Sequence, residues 1–170
     1  MPSASTGTTI RSPHAGTRGK FRFDVPRGEF SVTYAWSDEL GCFAEVFGDR
    51  RLIEDADGDR YVFRLVSQRP LRLLRLDDGD TLMSLGLDAR VCTIKPYRRT
   101  QLWSRAFYDW YPRLDGLRYV PRYATGHTNY CLYLDRCAGV LVAESQGRIA
   151  TRHDLLERVI DAYPLTTTLL

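Results

Sequence analysis

The sequence predicts a single α+β domain in which small mixed or antiparallel sheets pack against helices. Short segments that alternate β-branched or aromatic residues with polar ones are interspersed with segments of helical periodicity. The chain has 170 residues, of which 44% are hydrophobic and 26% charged, as in an ordinary globular protein with one core. We find no internal repeat and no linker that would divide it.

The first third of the chain predicts a tail, two strands and a helix. Residues 1–17 are rich in Ser, Thr, Gly and Pro and predict a flexible tail ahead of one domain over 18–170. Alternation predicts strands over 20–23 and 30–34. The helix is predicted to begin after Ser37 or Asp38 and to end at Gly48, because its apolar residues share one face: Leu40, Phe43, Ala44 and Phe47.

The rest of the chain alternates strands and helices. Strands are predicted over 61–66, 71–76, 116–120, 130–134 and 140–142, with a short helix over 81–87. A firmer helix over about 100–111 would bury the apolar residues of one face, Leu102, Trp103, Ala106, Phe107 and Trp110. A last helix would begin at Thr151 and Asp154, which resemble a capping box, and end at Pro164.

Charge and composition exclude several functions. The net charge of +3 is too small for a nucleic-acid-binding domain, so we expect no direct nucleic-acid partner. No apolar run is long enough to span a membrane and the first residues do not form a secretory signal, which predicts a cytoplasmic protein with no membrane partner. The four cysteines show neither metal-ligand spacing nor a disulfide framework, so we expect free, buried thiols and no metal site.

Three residues in the first third form a candidate site. Arg22 lies on the first predicted strand, Tyr34 ends the second, and Glu45 lies on the helix that follows. A guanidinium binds phosphate oxygens bidentately, and an aromatic ring stacks on a flat base. A carboxylate stabilises the positive charge that develops on ribose as a base leaves. Together these groups could break an N-glycosidic bond in a dinucleotide.

These residues lie within a longer series that resembles the RES domain family. The series opens with GKFRFD at 19–24, EFSVTYA at 29–35 and FAEVFG at 43–48. It continues in order through 71–74, 85–87, 97–103, 115–122 and 130–136. The resemblance covers roughly residues 18 to 155, and it is the series rather than any single motif that is specific.

The resemblance implies a fold related to the ADP-ribosyltransferase toxins and a toxin that consumes NAD. NAD would be a substrate, with no prosthetic group, and nicotinamide would be released by hydrolysis or by phosphorolysis with phosphate. By position in the family, Glu45 would be the catalytic carboxylate, Tyr34 would stack on the nicotinamide end, and Arg22 and Arg122 would bind phosphates. The implied partner is a helix-turn-helix antitoxin of the Xre type. An aromatic content of 12% also suits a homodimer interface.

Pro121 departs from the family pattern, because the family has a serine at this position. Proline offers neither a hydroxyl nor a backbone N–H to a ligand. Two alternatives therefore stand beside NAD cleavage. One is a weakened or non-catalytic member that binds a nucleotide or a partner, and the other is a protein ADP-ribosyltransferase, which differs only in the acceptor.

Overall fold

A computed structural model describes residues 6–11, 19–25, 27–124 and 126–170. Its core is a seven-stranded mixed sheet in the order β5-β6-β7-β2-β1-β4-β8, in which β5 and β6 are parallel and the other pairs antiparallel. A parallel pair, β3 and β9, forms a second sheet. The predicted α+β class and mixed sheet are confirmed, although one large sheet takes the place of several small ones.

The elements alternate along the chain. The strands are β1 (Thr6–Arg11), β2 (Val32–Trp36), β3 (Leu52–Ile53), β4 (Tyr61–Ser67), β5 (Leu73–Arg75), β6 (Gly116–Tyr119), β7 (Asn129–Tyr133), β8 (Leu141–Arg148) and β9 (Thr166–Thr167). The α-helices are α1 (Glu39–Phe47), α2 (Gly79–Ser84), α3 (Arg98–Trp110) and α4 (His153–Ala162). Among the described residues, no helix combines the length and apolar character needed to cross a membrane.

Two predictions near the N-terminus are wrong. The predicted tail over 1–17 includes β1, which pairs with β2 and β4 within the large sheet, because its Thr and Ile residues suit a buried strand. The remaining tail positions, 1–5 and 12–17, lie outside the described residues. The strand predicted over 20–23 is absent, and this segment forms turns instead.

Two hydrophobic cores lie along one face of the large sheet. The first contains Trp36 of β2 together with Phe43 and Phe47 of α1, and the second contains Tyr119 of β6. Trp36 and Tyr119 both lie opposite Asn129 of β7, so they share a face of the sheet. Partly buried Tyr34 packs against both cores, and it therefore marks their junction.

Of the two helix caps that the sequence predicts, at α1 and α4, only the cap of α1 is present. The side chain of Asp38 caps α1 by accepting a hydrogen bond from the backbone N–H of Gly41 at 2.8 Å, as predicted. The capping box predicted at Thr151 is wrong, because Thr151 lies in a 3-10 turn and α4 begins at His153 without a side-chain cap.

Candidate functional site

Glu45 lies on α1 facing the segment that joins β6 to β7. Its Oε1 accepts a hydrogen bond from the backbone N–H of Tyr123, and its Oε2 lies 3.4 Å from the side-chain Nδ2 of Asn129. Gly48 makes this approach possible, because a Cβ at that position would lie 2.7 Å from the Tyr123 ring. The carboxylate is therefore fixed by two donors, one in the joining segment and one at the start of β7.

A row of four residues crosses the sheet beside Glu45. Tyr119, Asn129, Trp36 and Thr8 lie opposite one another on β6, β7, β2 and β1. Within the described ranges, the buried Oδ1 of Asn129 and Nε1 of Trp36 have no hydrogen-bond partner. An acceptor and a donor thus remain unused on neighbouring strands.

The charges of Glu45 and Arg22 both act on the hydroxyl of Tyr119. Burial raises the pKa of Tyr119 well above its ordinary value, and the charges of Cys131 and Glu45 raise it further. The Arg22 guanidinium opposes this shift. Both the carboxylate and the guanidinium therefore lie within electrostatic range of the Tyr119 hydroxyl.

Arg22 is placed by an irregular segment rather than by the strand that the alternation predicts. The residue is only 8% exposed, its Nη1 donates to the carbonyl of Ile94 at 3.0 Å, and its guanidinium lies 4.8 Å from the centroid of the Tyr97 ring. A neutral carbonyl and an aromatic face leave the remaining donors available for an anion.

The polar face of α3 holds the segment that carries Arg22. Thr100 Oγ1 donates to the carbonyl of Arg22 at 2.7 Å, and Ser104 Oγ donates to that of Phe23 at 2.7 Å. Gln101 Nε2 lies 2.9 Å from the carbonyl oxygens of both Gly19 and Phe21. These side chains satisfy carbonyls that would otherwise need a neighbouring strand.

This arrangement corrects the predicted orientation of α3. Leu102 and Trp110 are 55% and 60% exposed, whereas Thr100 and Ser104 are buried. The hydrogen bonds to the Arg22 segment outweigh the burial of the apolar face, so only Phe107 of the predicted face is fully buried. Apolar periodicity could not reveal this.

Two further cations are linked to Arg22 through shared partners. Lys95 Nζ lies 5.8 Å from the centroid of the same Tyr97 ring and 3.1 Å from Oδ2 of Asp49. Arg122 Nη1 lies 3.4 Å from the other oxygen of Asp49. Sequence reasoning missed Lys95, although its position as one of only two lysines in an arginine-rich chain was a usable signal.

Asp49 is the carboxylate with which both Lys95 and Arg122 form ion pairs. Its pKa is lowered, chiefly because the Tyr123 hydroxyl donates a hydrogen bond to it, with Lys95 and Arg122 contributing. Burial and the bond to Asp49 raise the pKa of Tyr123 to about 12. The segment that fixes Glu45 is thus anchored to the cation cluster through one tyrosine.

Tyr34 occupies the junction between these groups. Its hydroxyl accepts a hydrogen bond from the backbone N–H of Phe23 at 2.9 Å and donates one to Asp24 Oδ1 at 3.0 Å. The Phe21 ring packs edge-on against it with a centroid separation of 5.7 Å and is 49% exposed. Phe21, which sequence reasoning did not select, is therefore the more accessible ring.

A cavity of about 550 Å³ opens beside the N-terminus of α1. It is lined by residues 37–40, by Thr8 at the end of the cross-strand row, and by Arg64, His127 and Arg158. Glu45 is not part of its lining. In the described part of the chain, no group of three His, Cys, Asp or Glu side chains is arranged to hold a metal ion, and all four cysteines are free and buried.

Comparison with known proteins places the chain in a family. A family model described as "RES domain" matches residues 3–152. The chain belongs to the RES domain family. The sequence-based identification is therefore confirmed, and the match includes β1, which lies ahead of the residues that carried the resemblance.

The RES domain also shares its fold with a solved structure. It aligns with a chain of the crystal structure of the M. tuberculosis MbcT–MbcA toxin–antitoxin complex at a TM-score of 0.62 and 15% identity, covering 89% of this chain and 88% of that chain. At this identity the likeness establishes the fold. A comparison with curated proteins finds no match.

Within the RES domain, the four predicted site residues are distributed around one region. Arg22, Tyr34 and Glu45 surround Tyr119, and Arg122 lies at the edge beside Asp49. Their roles stay predictions. Tyr119, Tyr123 and Asn129 were missed because only the tertiary structure shows that their donors and hydroxyls meet Glu45 or Arg22.

Proposed function

We propose that this RES domain consumes NAD by cleaving the bond between nicotinamide and ribose. The observation that carries this proposal is the Glu45 carboxylate, which is held by Tyr123 and Asn129, with the Arg22 guanidinium within electrostatic range of the same Tyr119 hydroxyl. A carboxylate that is held in one orientation stabilises the positive charge that develops on the ribose carbon as nicotinamide leaves. NAD is the substrate in this proposal, and no prosthetic group is required.

The cations support a dinucleotide over a simple nucleoside. Arg22 and Lys95 both lie against the Tyr97 ring, and Lys95 and Arg122 both pair with Asp49. The pyrophosphate of NAD carries two negative charges for these cations to bind. Binding there would compete with Asp49 for Lys95 and Arg122. The buried Arg22, which has no carboxylate partner within the described residues, is the strongest phosphate ligand of the three.

The aromatic residues supply a surface for a flat ring. Phe21 and Tyr34 pack edge-on, and the exposed Phe21 ring can stack on the nicotinamide or adenine base. The hydroxyl of Tyr34 accepts a hydrogen bond from a backbone N–H of the segment that carries Arg22. Tyr34 therefore supports binding in two ways, through its aromatic ring and by holding that segment in place. The unpaired Oδ1 of Asn129 is an acceptor and the unpaired Nε1 of Trp36 is a donor. A carboxamide such as that of nicotinamide offers the complementary N–H donor and carbonyl acceptor.

We also propose that the protein is a toxin restrained by an antitoxin of the helix-turn-helix (Xre) type. The shared fold with a chain of a toxin–antitoxin complex, together with membership of the RES family, supports such a partner. The exposed Leu102 and Trp110 on α3 supply apolar surface that a partner or a second copy could cover.

Pro121 favours a second candidate, a member of the family that binds NAD without turning it over. The residue is buried next to Arg122 and cannot donate a hydrogen bond where the family has serine. The neighbouring Tyr123 still fixes Glu45 through its backbone N–H, however. Because this contact does not depend on position 121, we favour cleavage over binding alone.

The test is NAD loss on incubation with the purified full chain, in buffers with and without phosphate. Glu45→Gln should abolish the loss, whereas Glu157→Gln, on the exposed face of α4, should leave it unchanged. A dependence on phosphate indicates phosphorolysis, and its absence indicates hydrolysis. NAD binding without NAD loss in either buffer would instead show that the protein binds NAD without cleaving it.

A further inference from the structure

His127 is held by two polar partners at the edge of the cavity beside α1. Its Nδ1 pairs with Oδ2 of Asp38, and its Nε2 lies 3.3 Å from the hydroxyl of Tyr163. A carboxylate on Nδ1 selects the tautomer that carries its proton there, which leaves Nε2 as an acceptor. Tyr163 then donates to His127 and keeps its oxygen lone pairs free.

This group lies one helical turn from Glu45. The His127 ring packs over Gly41, where a Cβ would lie 3.4 Å from Cγ of the imidazole. Gly41 precedes Glu45 by four residues, a distance of about 6 Å along the helix axis. Asp38, Gly41 and Glu45 are spaced by three and four residues, so they follow one face of α1.

The surroundings of His127 are accessible and charged. The cavity that His127 lines admits small molecules, since its volume is about 550 Å³. The ionisable groups around it are Asp38 and Glu39 of α1, Arg64 of β4, Arg158 of α4, and Tyr163. Burial raises the pKa of Tyr163, and the charges of Asp38 and Glu45 add to the shift, which places this hydroxyl within range of both carboxylates.

When water or another neutral O–H acceptor attacks the ribose carbon, cleavage of NAD requires a base, and Glu45 is poorly placed to be that base. Both oxygens of Glu45 already accept hydrogen bonds, from Tyr123 and Asn129. Its negative charge is also needed to stabilise the positive charge that develops on the ribose carbon. An acceptor O–H that attacks the ribose carbon becomes acidic as the new bond forms, so a second group must receive its proton. His127 and Tyr163 are a nearby pair with this capacity, because Nε2 of His127 and the hydroxyl of Tyr163 lie 3.3 Å apart.

Resting on the proposed function, we infer that His127 is the terminal base of a relay through Tyr163 that deprotonates the acceptor. The acceptor oxygen forms a bond to the ribose carbon while the pair of electrons in the carbon–nitrogen bond leaves with neutral nicotinamide. The acceptor proton passes to Tyr163 Oη, and the hydroxyl proton of Tyr163 passes to Nε2 of His127. Asp38 stabilises the resulting imidazolium. Tyr163 touches the acceptor, and His127 and Asp38 act through it as positioning residues.

The experiment compares His127→Gln, Tyr163→Phe and Asp38→Asn in the full chain, with His153→Gln as the matched control. His153 is exposed at the start of α4, away from the cavity lining. Asparagine at 38 can still cap α1 by accepting from Gly41, so that variant keeps the helix while removing the charge. For each protein we would measure kcat and KM for NAD, the pH profile of kcat, and NAD affinity by calorimetry.

The expected result is a loss in kcat of about 100-fold in His127→Gln and Tyr163→Phe, with NAD affinity within about twofold of wild type. The double variant should lose little more than either single one, because the two residues form one relay. The part of the acid limb of the kcat profile that arises from a protonated imidazole should disappear in His127→Gln, whereas the part that arises from protonation of Glu45 should remain.

Three outcomes overturn the inference. Unchanged kcat and pH profile in His127→Gln, with an active wild type, would remove the relay and leave the proposed function standing. Loss of NAD affinity or thermal stability in parallel with kcat would show that His127 only holds the segment against α1. A wild-type protein that consumes no NAD overturns the proposed function itself, and the inference with it.

Discussion

The hydroxyl of Tyr34 donates a hydrogen bond to Oδ1 of Asp24 at 3.0 Å, and so ties β2 to the irregular segment that carries Arg22. The same hydroxyl accepts from the backbone N–H of Phe23. A residue expected to stack on a ligand therefore also holds Phe23 and Asp24, the two residues that directly follow the proposed phosphate ligand. This double role leads to the first prediction.

Tyr34→Phe should weaken NAD binding about tenfold while leaving the ring in place. Removal of the hydroxyl leaves the N–H of Phe23 without its acceptor, which costs about 1–2 kcal/mol in the free energy of unfolding. Calorimetry with NAD and urea denaturation would measure the two effects. Tyr61→Phe, on β4 and 37% exposed, is the control and should change neither quantity. An unchanged NAD affinity would show that this hydroxyl does not position Arg22.

Ser104→Ala should have a related effect from the opposite side of the segment. Buried Ser104 is the only described donor to the carbonyl of Phe23 from α3, and its loss leaves that carbonyl unsatisfied at a cost of about 1–2 kcal/mol. We expect KM for NAD to rise more than kcat falls, because Arg22 would be held less firmly. Ser84→Ala, in exposed α2, is the matched control. A fall in kcat alone would place the effect at Glu45 instead.

Asn129→Asp should move the acid limb of the activity profile to higher pH. The substitution places a second carboxylate beside Glu45, and two adjacent carboxylates repel, so the pair retains a proton to higher pH. Since the proposed mechanism needs an ionised carboxylate, kcat measured at acidic pH should fall most. Asn129→Ala removes the contact without adding charge and should lower kcat without this shift. Parallel profiles for the two variants would contradict the proposed contact.

Pro121→Ser should increase the affinity for NAD about tenfold if position 121 faces the ligand. A hydroxyl and a backbone N–H would be restored at a buried position next to Arg122, and one such hydrogen bond contributes about 1.5 kcal/mol. Competition binding against a fluorescent NAD analogue would measure the change. An affinity equal to that of the wild type would mean that this protein binds NAD without a contact at 121.

Asp115→Ala should destabilise the protein at neutral pH and much less in acid. Burial raises the pKa of Asp115, but the Arg69 guanidinium at 2.7 Å and the N–H of Arg72 at 2.8 Å outweigh it, and the pKa lies below its ordinary value of 3.8. The contribution to stability is therefore fully present above pH 3.8 and is lost as the pH falls through the lowered pKa. Denaturation midpoints between pH 2 and pH 7 would test this. A difference between variant and wild type that stays constant with pH would contradict it.

The sequence predicted the parts of the fold in which side-chain pattern and burial agree. The helix α1, capped by Asp38, is one such element, because its apolar face packs against Trp36 and Ile10 as the periodicity requires. The strands β2 and β7 alternate and pair in register. In these elements local propensity and tertiary packing favour the same structure.

The failures occur where backbone hydrogen bonds are satisfied by distant side chains. Residues 20–23 alternate like a strand, but Thr100, Gln101 and Ser104 supply their hydrogen bonds from α3. The same contacts turn Leu102 outward. Contacts across some eighty positions of the chain leave no local pattern, so sequence reasoning could name Arg22 and Glu45 without finding Asn129, Tyr123 or Lys95.

The position of β1 makes the two halves of the large sheet depend on one short segment. One side of β1 meets β2 at Thr8 and Trp36, and its other side pairs with β4 along six residues. Because β4 follows β1 in the chain, with β2 and α1 between them, β1 can complete its pairing only after β4 has been synthesised. Loss of β1 would therefore disconnect β4 and β8 from β2, β7 and β6, the strands that lie beside Glu45.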